Sequence, residues 1–242
     1  MFEITPINKC KQDSPSQERF PYPTRRCTIY RVYDEIYWLS LQHNPFNEQN
    51  VSIVVFGTEK SFDGVLSGCL RPRRSAQEIQ TEAEELDVLH WLESEAAEEP
   101  EYYEFERGEW PREIQRQGPC LRAELLTDNQ NQDVIVGILP VWDRWKIPCL
   151  LNYGNWNACP PPEVHAALWK RWNEKYGADA SWIGHGELEF SVRKPVSGKD
   201  EALALAREQS LYCPDLVHQM YGTLENLAAS LVGAQNWGFW WD

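Results

Sequence analysis

The sequence predicts an α+β fold, in which a mixed or antiparallel sheet is flanked by helices in a single globule. Segments rich in β-branched and aromatic residues alternate irregularly with segments whose apolar residues recur every three or four positions. These segments do not follow the strict strand–helix–strand order of a parallel α/β sheet. With 242 residues, the chain is long enough to bury a large core.

The first part of the chain, residues 1–74, is predicted to be a β-rich region. A polar, proline-containing stretch over 1–24 precedes CTIYRVYDEIYWLSL (27–41), and VSIVVFG (51–57) follows. Both segments are rich in β-branched and aromatic residues, and NPFNEQN between them supplies turn residues. The pattern therefore predicts a hairpin.

Residues 75–110 are predicted to be an acidic helix, over 75–99, and its connector. Ser75 and Glu78 have the spacing of a capping box, apolar residues then recur at helical spacing, and Pro100 ends the run. The segment 75–106 holds 12 acidic residues and no basic residue, in a chain whose net charge is −14. The acidity of the protein is therefore concentrated in this helix.

The remaining residues, 111–242, are predicted to form an α+β domain. Their β-branched and apolar runs predict strands, which are expected at LRAELL (121–126), DVIVGILPVW (133–142) and IPCLLNYG (147–154), with a hairpin at ASWIGHGELEFSV (180–192). Apolar residues at three- and four-residue steps predict helices, which are expected at 159–177, 198–213 and 223–233.

Four motifs of this second half, in this order, resemble the bacterial family catalogued as domain of unknown function 4253. They are NWNACP (155–160), W-x-x-K-Y-G-A at the end of a helix (172–178), YCPD after the EALALAREQ helix (212–215) and the closing FWWD (239–242). The resemblance covers about residues 120–242. It implies an α+β domain with a tryptophan-rich end, and it transfers no catalytic residue.

The last six residues, WGFWWD, contain Trp237, Phe239, Trp240 and Trp241. Burial of such a ring stabilises a fold by roughly 2–3 kcal/mol. Because the resemblance makes this ending part of the domain, we expect it to be packed into the core, the alternative being an exposed ridge for a partner.

Composition excludes several classes of function. The chain starts without a basic stretch followed by an apolar one, its longest uncharged apolar run is too short to cross a membrane, and its seven cysteines form no C-x-x-C pair. These features predict a soluble cytoplasmic protein with reduced thiols.

The localised negative charge disfavours nucleic acid and anionic membranes as partners. We find no phosphate-binding or other catalytic signature, and we expect no cofactor.

Cysteine and histidine residues offer two alternatives. Cys159, His165, Cys213 and His218 form C-x5-H and C-x4-H pairs that could hold zinc. Cys213 could instead be a nucleophile, with His218 or His165 as its base and Asp215 as the orienting carboxylate. Cys159 and Cys213 each precede a proline at a helix boundary, however, where a thiol commonly serves as a small buried hydrophobe. Glu187 and Glu189, which follow His185, could serve as an acid and a base, but their alternation along a strand favours a solvated face.

The favoured hypothesis is a cytoplasmic protein-binding module, such as an immunity protein or an inhibitor that neutralises a toxin or enzyme. Its partner would have a basic surface, and its binding residues would be carboxylates and aromatics of the acidic segment. These are Glu78, Glu82, Glu85, Asp87, Trp91, Glu93, Glu95, Tyr102 and Tyr103. The alternatives are a merely solvated or partly flexible acidic segment, a hydrolase or transferase with a Cys213 or zinc site, and a subunit of an assembly.

Overall fold

In the part of the chain that the structure describes, six strands form one mixed sheet. The computed structural model describes residues 28–32, 52–57, 61–65, 74–114, 134–139 and 141–241. In these residues the strands are β1 (Thr28–Val32), β2 (Ser52–Gly57), β3 (Val134–Leu139), β4 (Ala178–Ile183), β5 (Glu187–Val192) and β6 (Asn236–Trp240). Their order across the sheet is β1-β3-β2-β4-β5-β6. Neighbouring strands are antiparallel, except that β2 and β4 pair in parallel around Val55 and Trp182.

Helices accompany this sheet, and the predicted α+β class is confirmed. They are α1 (Ala76–Glu85), α2 (Val88–Glu98), α3 (Ile147–Leu151), α4 (Pro162–Tyr176), α5 (Lys199–Tyr212) and α6 (Leu224–Leu231). Shorter helical turns occur over 61–65, at Arg144–Lys146 and, with π geometry, at Leu216–Tyr221. In the described part of the chain, no helix has the length and apolar character needed to cross a bilayer.

Local sequence explains where the helices begin and end. The Ser75 hydroxyl and the Glu78 carboxylate form both hydrogen bonds of the predicted capping box at the start of α1. Helix α4 has a proline in its first turn and ends at Gly177, which has a left-handed φ of 60°. At the start of α6, the Thr223 hydroxyl accepts a hydrogen bond from the Asn226 N–H.

The core lies between the helices and one face of the sheet, and the C-terminal tail is part of it. As strand β6 the tail pairs with β5, where Trp237 lies opposite Phe190. The Trp172 ring of α4 packs 5.6 Å from the Trp237 ring and 5.4 Å from the Phe239 ring, measured between centroids. Since Trp237, Phe239 and Trp241 are buried, the expected packing of the tail into the core is confirmed.

The predicted hairpin of 27–41 and 51–57 is wrong, because β1 and β2 do not pair with each other. Strand β3 lies between them and pairs with both. The turn residues between the two segments therefore predicted the wrong pairing partner for each strand. The predicted strand at 121–126 lies outside the described residues.

Two further predictions need correction. The stretch 147–154 is not a strand, because helix α3 occupies Ile147–Leu151, with a proline in its first turn and Asn152 as a left-handed cap. The acidic segment is not one helix but two. Leu86 has an extended backbone, and Asp87 accepts a hydrogen bond from the His90 N–H and so starts a new helix.

Candidate functional site

The two acidic helices belong to the folded body of the protein. Each has an apolar side that is buried in the core, with Ile79 and Ala83 in α1 and Val88, Leu92 and Ala96 in α2. Their carboxylates lie mostly on the opposite, exposed side. The acidic segment is therefore a fixed surface, which is the geometry that a docking site needs.

Four of the predicted binding carboxylates have structural partners. Glu78 accepts a hydrogen bond of 2.7 Å from the Ser75 N–H, and Asp87 caps α2. Glu82 forms an ion pair with Arg74, which also binds Glu163 of α4. Glu93 forms an ion pair of 3.1 Å with Arg207 of α5. The two ion-paired glutamates link α1 and α2 to α4 and α5, whereas Glu78 and Asp87 cap the starts of their own helices.

The other predicted residues fall into two groups. Glu85 is exposed at the end of α1, and Trp91 is half-buried against the core. Glu95, Tyr102 and Tyr103 come together at the end of α2, where the N–H groups of both tyrosines donate hydrogen bonds to the carbonyl oxygen of Glu99. The structure thus concentrates only part of the predicted set in one place.

The end of α2 is an unusual place for negative charge. Helix C-termini carry a partial negative charge and favour Lys or Arg, yet the last turn of α2 contains no basic residue. Burial, and then the charges of Glu98 and Glu99, raise the pKa of Glu95. Among the described residues, none of these three carboxylates forms an ion pair. Their mutual repulsion is therefore not compensated within this part of the protein.

The π-helical turn Leu216–Tyr221 lies beside these residues. The His218 Nε2–H donates a 2.8 Å hydrogen bond to the carbonyl oxygen of Tyr102, and the His218 ring lies 5.3 Å from that of Phe105. Two residues further along, Met220 is 45% exposed. We call this surface the acidic–aromatic patch, and it consists of Glu95, Glu98, Glu99, Tyr102, Tyr103, His218 and Met220. Sequence reasoning missed the placement of His218 and Met220, because 116 residues separate Tyr102 from His218.

The predicted zinc ligands are only partly brought together. Cys159 Sγ lies 3.4 Å from His165 Nε2, and both residues are buried. The Cys213 thiol donates to the carbonyl oxygen of Trp240, and His218 lies on the surface at the acidic–aromatic patch. Within the described ranges, no cluster of three or more His, Cys, Asp or Glu side chains is arranged to hold a metal ion.

The alternative catalytic residues form hydrogen bonds with other groups. Asp215 accepts a hydrogen bond of 2.7 Å from Gln219, and His218 is engaged with Tyr102. Burial raises the pKa of the Cys213 thiol far above its ordinary value. A nucleophilic cysteine needs an accessible thiol with a lowered pKa. The buried thiol of Cys213 has the opposite properties.

A third group of polar and aromatic side chains lies at the β4–β5 turn. His185 is exposed and its ring stacks on that of Trp156, with 5.3 Å between centroids and 26° between planes. Glu187 is half-buried. The prediction of a solvated face is wrong for Glu189, which is only 3% exposed although it lies on the opposite face of β5 from Leu188 and Phe190.

Comparison with known proteins agrees with the motif resemblance. The model of the family described as Domain of unknown function (DUF4253) matches residues 135–242, which confirms the predicted resemblance of the C-terminal half. The matched region begins in β3 and includes α3 to α6, the π-helical turn and the tail. Neither the curated proteins nor the solved structures gave a match to the chain.

Proposed function

We propose that this protein, whose C-terminal part matches a family described without an activity, is a cytoplasmic protein-binding module. It docks a basic partner protein on the acidic–aromatic patch. The partner is a toxin or an enzyme, and the module acts as an immunity protein or inhibitor that covers the partner's basic surface.

The uncompensated charge at the end of α2 is the observation that carries this proposal. Glu95, Glu98 and Glu99 lie close together where the helix dipole is also negative, and the pKa of Glu95 is raised as a result of burial and of the other two charges. Such an arrangement destabilises the free protein. A lysine or arginine side chain of a partner would relieve the repulsion. Binding would therefore be favoured by the removal of a repulsion that is present in the unbound protein.

The aromatic members of the patch supply the other component of a protein interface. Tyr102 and Tyr103 are half-buried and rigidly placed, since their rings pack edge to face with 5.2 Å between centroids. Tyrosine is enriched among the residues that dominate binding energy, and methionine adapts to irregular partner surfaces. Met220 is exposed beside them.

The carboxylates also suit the proposed class of partner. Enzymes that act on nucleic acids hold the phosphate backbone in basic clefts. A row of carboxylates on a rigid helix end can occupy such a cleft in place of phosphates, and association would then be fast and sensitive to salt.

The test is a comparison of two triple variants of the full chain. In the patch variant E95Q/E98Q/E99Q the three charges are removed and the side-chain shapes are kept. The control variant E84Q/E174Q/E201Q removes three exposed charges elsewhere. Tagged proteins are recovered from the native host and examined by native mass spectrometry.

We expect wild type and control to carry a stoichiometric basic protein that the patch variant lacks. We also expect the purified complex to form more slowly as salt increases, because the Debye length falls to about 3 Å at 1 M salt. Equal recovery of the partner by both variants, or binding that does not respond to salt, would refute the proposal.

A further inference from the structure

We propose that the helical turn Arg144–Lys146 and the middle of helix α4 form a second binding site, for a small phosphate monoester that carries a flat ring, such as a nucleoside monophosphate. The residues that form this site are Trp142, Arg144, Trp145, Lys146 and Lys170. The inference goes beyond the proposed function, and it is independent of the acidic–aromatic patch because the two surfaces share no residue.

Arg144 is fixed between two parallel strands of the sheet. Strands β2 and β4 pair around Val55 and Trp182. Two residues earlier in each strand, the carbonyl oxygens of Ile53 and Ala180 accept hydrogen bonds of 2.9 and 2.8 Å from Nη1 of Arg144. Because Nη1 has two hydrogens, these contacts use both of them. The sheet therefore holds the guanidinium in one orientation.

The opposite edge of this guanidinium is a donor fork at the surface. Nε–H and one Nη2–H point in the same direction, and with this pair arginine binds a carboxylate or a phosphate through two parallel hydrogen bonds. Within the described ranges, neither nitrogen has a hydrogen-bond partner, and neither is one of the buried polar atoms that lack one. The fork is therefore accessible. The side chain is half-buried, and burial lowers the pKa of Arg144, so an oxyanion would be attracted more strongly here than at a fully hydrated arginine.

Two lysines flank Trp145, the residue that follows Arg144. The Nζ atoms of Lys146 and Lys170 each lie 5.1 Å from the centroid of the Trp145 indole ring. The ring quadrupole attracts both ammonium groups and so favours these positions. Since Arg144, Trp145 and Lys146 form one helical turn, the fork and the two ammonium groups belong to the same surface.

The charges of Arg144 and Lys170 are not compensated in the described part of the chain. Asp143 forms an ion pair of 2.9 Å with Lys146, and Asp179 forms one with the arginine that follows β5. The charge of Asp179 acts on Arg144 from a distance, but the described residues show no ion pair for either Arg144 or Lys170. An anionic ligand would supply the missing negative charge.

The number of uncompensated cations determines the class of anion. A phosphate monoester carries about 1.5 to 2 negative charges at pH 7, which match the two positive charges of Arg144 and Lys170. It also has three strong acceptor oxygens within one group, so two can bind the fork while the third faces an ammonium group. A single carboxylate has one negative charge, and a dicarboxylate distributes its two charges over separate groups.

Trp142 supplies an apolar surface for the rest of the ligand. It is 48% exposed and lies two residues before Arg144. Its carbonyl oxygen accepts a 3.2 Å hydrogen bond from the Ser52 hydroxyl, so the backbone that carries the ring is fixed to the sheet. A nucleobase can stack on an exposed indole. The net charge of −14 favours a small ligand over a nucleic acid, because the field of the whole protein repels a polyanion.

The test is nuclear magnetic resonance on the ¹⁵N-labelled full chain, with the indole N–H signals of Trp142 and Trp145 assigned. The probes are adenosine monophosphate, adenosine as the same ring without phosphate, O-phospho-L-serine as a phosphate monoester without a flat ring, and sodium succinate as a dianion without phosphate. Trp237 provides an internal reference, because it is fully buried in the core.

We expect adenosine monophosphate to shift the Trp142 and Trp145 signals saturably, to leave Trp237 unchanged and to bind more tightly than the other three probes. R144K keeps the charge but removes the fork, and K170Q removes the second cation. Each should weaken binding at least about five-fold, because hydrogen bonds and ion contacts to a phosphate are among the strong ones. W142A should bring the affinity down to that for O-phospho-L-serine.

The matched control is K199Q. Lys199 also lies over a tryptophan ring, 4.9 Å from that of Trp110, but it is at the start of α5, and its replacement should leave binding unchanged. Arg144 also bridges two strands, so R144K is interpreted only if its spectrum is that of a folded protein. The side chains of Trp142 and Lys170 form no hydrogen bond to the described residues, so W142A and K170Q test the site without disturbing the sheet.

Several results would overturn the proposal. One is the absence of any shift with adenosine monophosphate up to about 10 mM, well above a millimolar dissociation constant. Others are an equal shift of the Trp237 signal, tighter binding of O-phospho-L-serine, succinate or adenosine than of adenosine monophosphate, and unchanged binding by K170Q and W142A.

Discussion

The hydroxyl oxygen of Tyr212 lies 2.5 Å from Nδ1 of His165 in the interior of the protein. The same oxygen accepts a 3.1 Å hydrogen bond from the Trp169 Nε1–H. The tyrosine can therefore donate its own proton to Nδ1, which puts the ring proton of His165 on Nε2, 3.4 Å from Cys159 Sγ. The Pro160 carbonyl oxygen also accepts a hydrogen bond from this ring. All these groups are satisfied only while the imidazole is neutral.

We predict that acid destabilises the protein through His165. Burial lowers the pKa of this imidazole from 6.5 to about 3 in the folded state. Because the folded-state pKa lies below the unfolded one, the stability is fully present above about pH 6.5 and is lost progressively toward pH 3. The expected loss of unfolding free energy between about pH 6.5 and pH 5 is about 2 kcal/mol, and urea unfolding at several pH values measures it.

The variant H165Q is the control for this pH dependence. It lacks the titrating group, so the slope of stability against pH should fall by up to one proton in the same range. A slope identical to that of wild type would assign the acid sensitivity to other groups.

Removing the Tyr212 hydroxyl should be costly. The Y212F variant leaves the Trp169 Nε1–H and His165 Nδ1 without their partner, and we expect a loss of about 2–4 kcal/mol in unfolding free energy. The control is Y176F, because the Tyr176 hydroxyl lies outside this network beside the Lys175 side chain, and its removal should cost less than about 1 kcal/mol. Equal losses in the two variants would argue against the network.

Thiol reactivity tests the environment of three cysteines. Cys149, Cys159 and Cys213 are free and buried, and burial raises the pKa of Cys149 to about 12. We therefore predict that iodoacetamide modifies none of the three in the native protein at about pH 8 and all three in urea. Peptide mapping by mass spectrometry measures how much of each cysteine has been modified. Rapid native modification of Cys213 would revive the nucleophile hypothesis.

Sequence patterns predicted helices and strands correctly where the residues that determine them lie within or next to the element. The span of α4 follows from the prolines at its start and Gly177 at its end, and the hairpin of β4 and β5 follows from two apolar runs around a glycine-containing turn. The stretch 147–151 shows the limit of this approach. A short apolar run does not distinguish a strand from a buried helix, and Pro148 and the left-handed Asn152 favoured the helix.

Contacts between distant parts of the chain were not predictable from local patterns. The insertion of β3 between β1 and β2 joins segments about 100 residues apart, and the pairing preference of a strand contains no information about which distant strand it meets. The same holds for the approach of His218 to Tyr102 and of His165 to Tyr212. The acidity of the docking surface was visible in the sequence, but its aromatic and methionine members were assembled by the fold.

The two faces of strand β6 allow a matched comparison in the tail. Trp237 is fully buried, whereas Trp240 is half-buried on the other face. We predict that W237A loses about 3–5 kcal/mol of unfolding free energy, since a large cavity replaces a core ring, and that W240A loses clearly less. Urea unfolding of both variants gives the comparison. A similar loss for both would mean that the strand pairing, rather than the ring, stabilises the tail.

Opposite ends of the acidic helices should respond in opposite ways to a change of charge. At the end of α2, the variant E98K replaces an unfavourable carboxylate by a cation that suits the helix dipole, and we expect it to stabilise the protein by about 0.3–1 kcal/mol. At the start of α1, E78K removes the capping-box carboxylate from Ser75 and should destabilise the protein.

Thermal unfolding of the two variants beside wild type decides this comparison. A residue whose replacement stabilises the protein was not retained for stability, so a gain in E98K would support a binding role for the end of α2. A loss of stability in E98K as well would show that Glu98 serves the fold, and the argument from uncompensated charge would then fail.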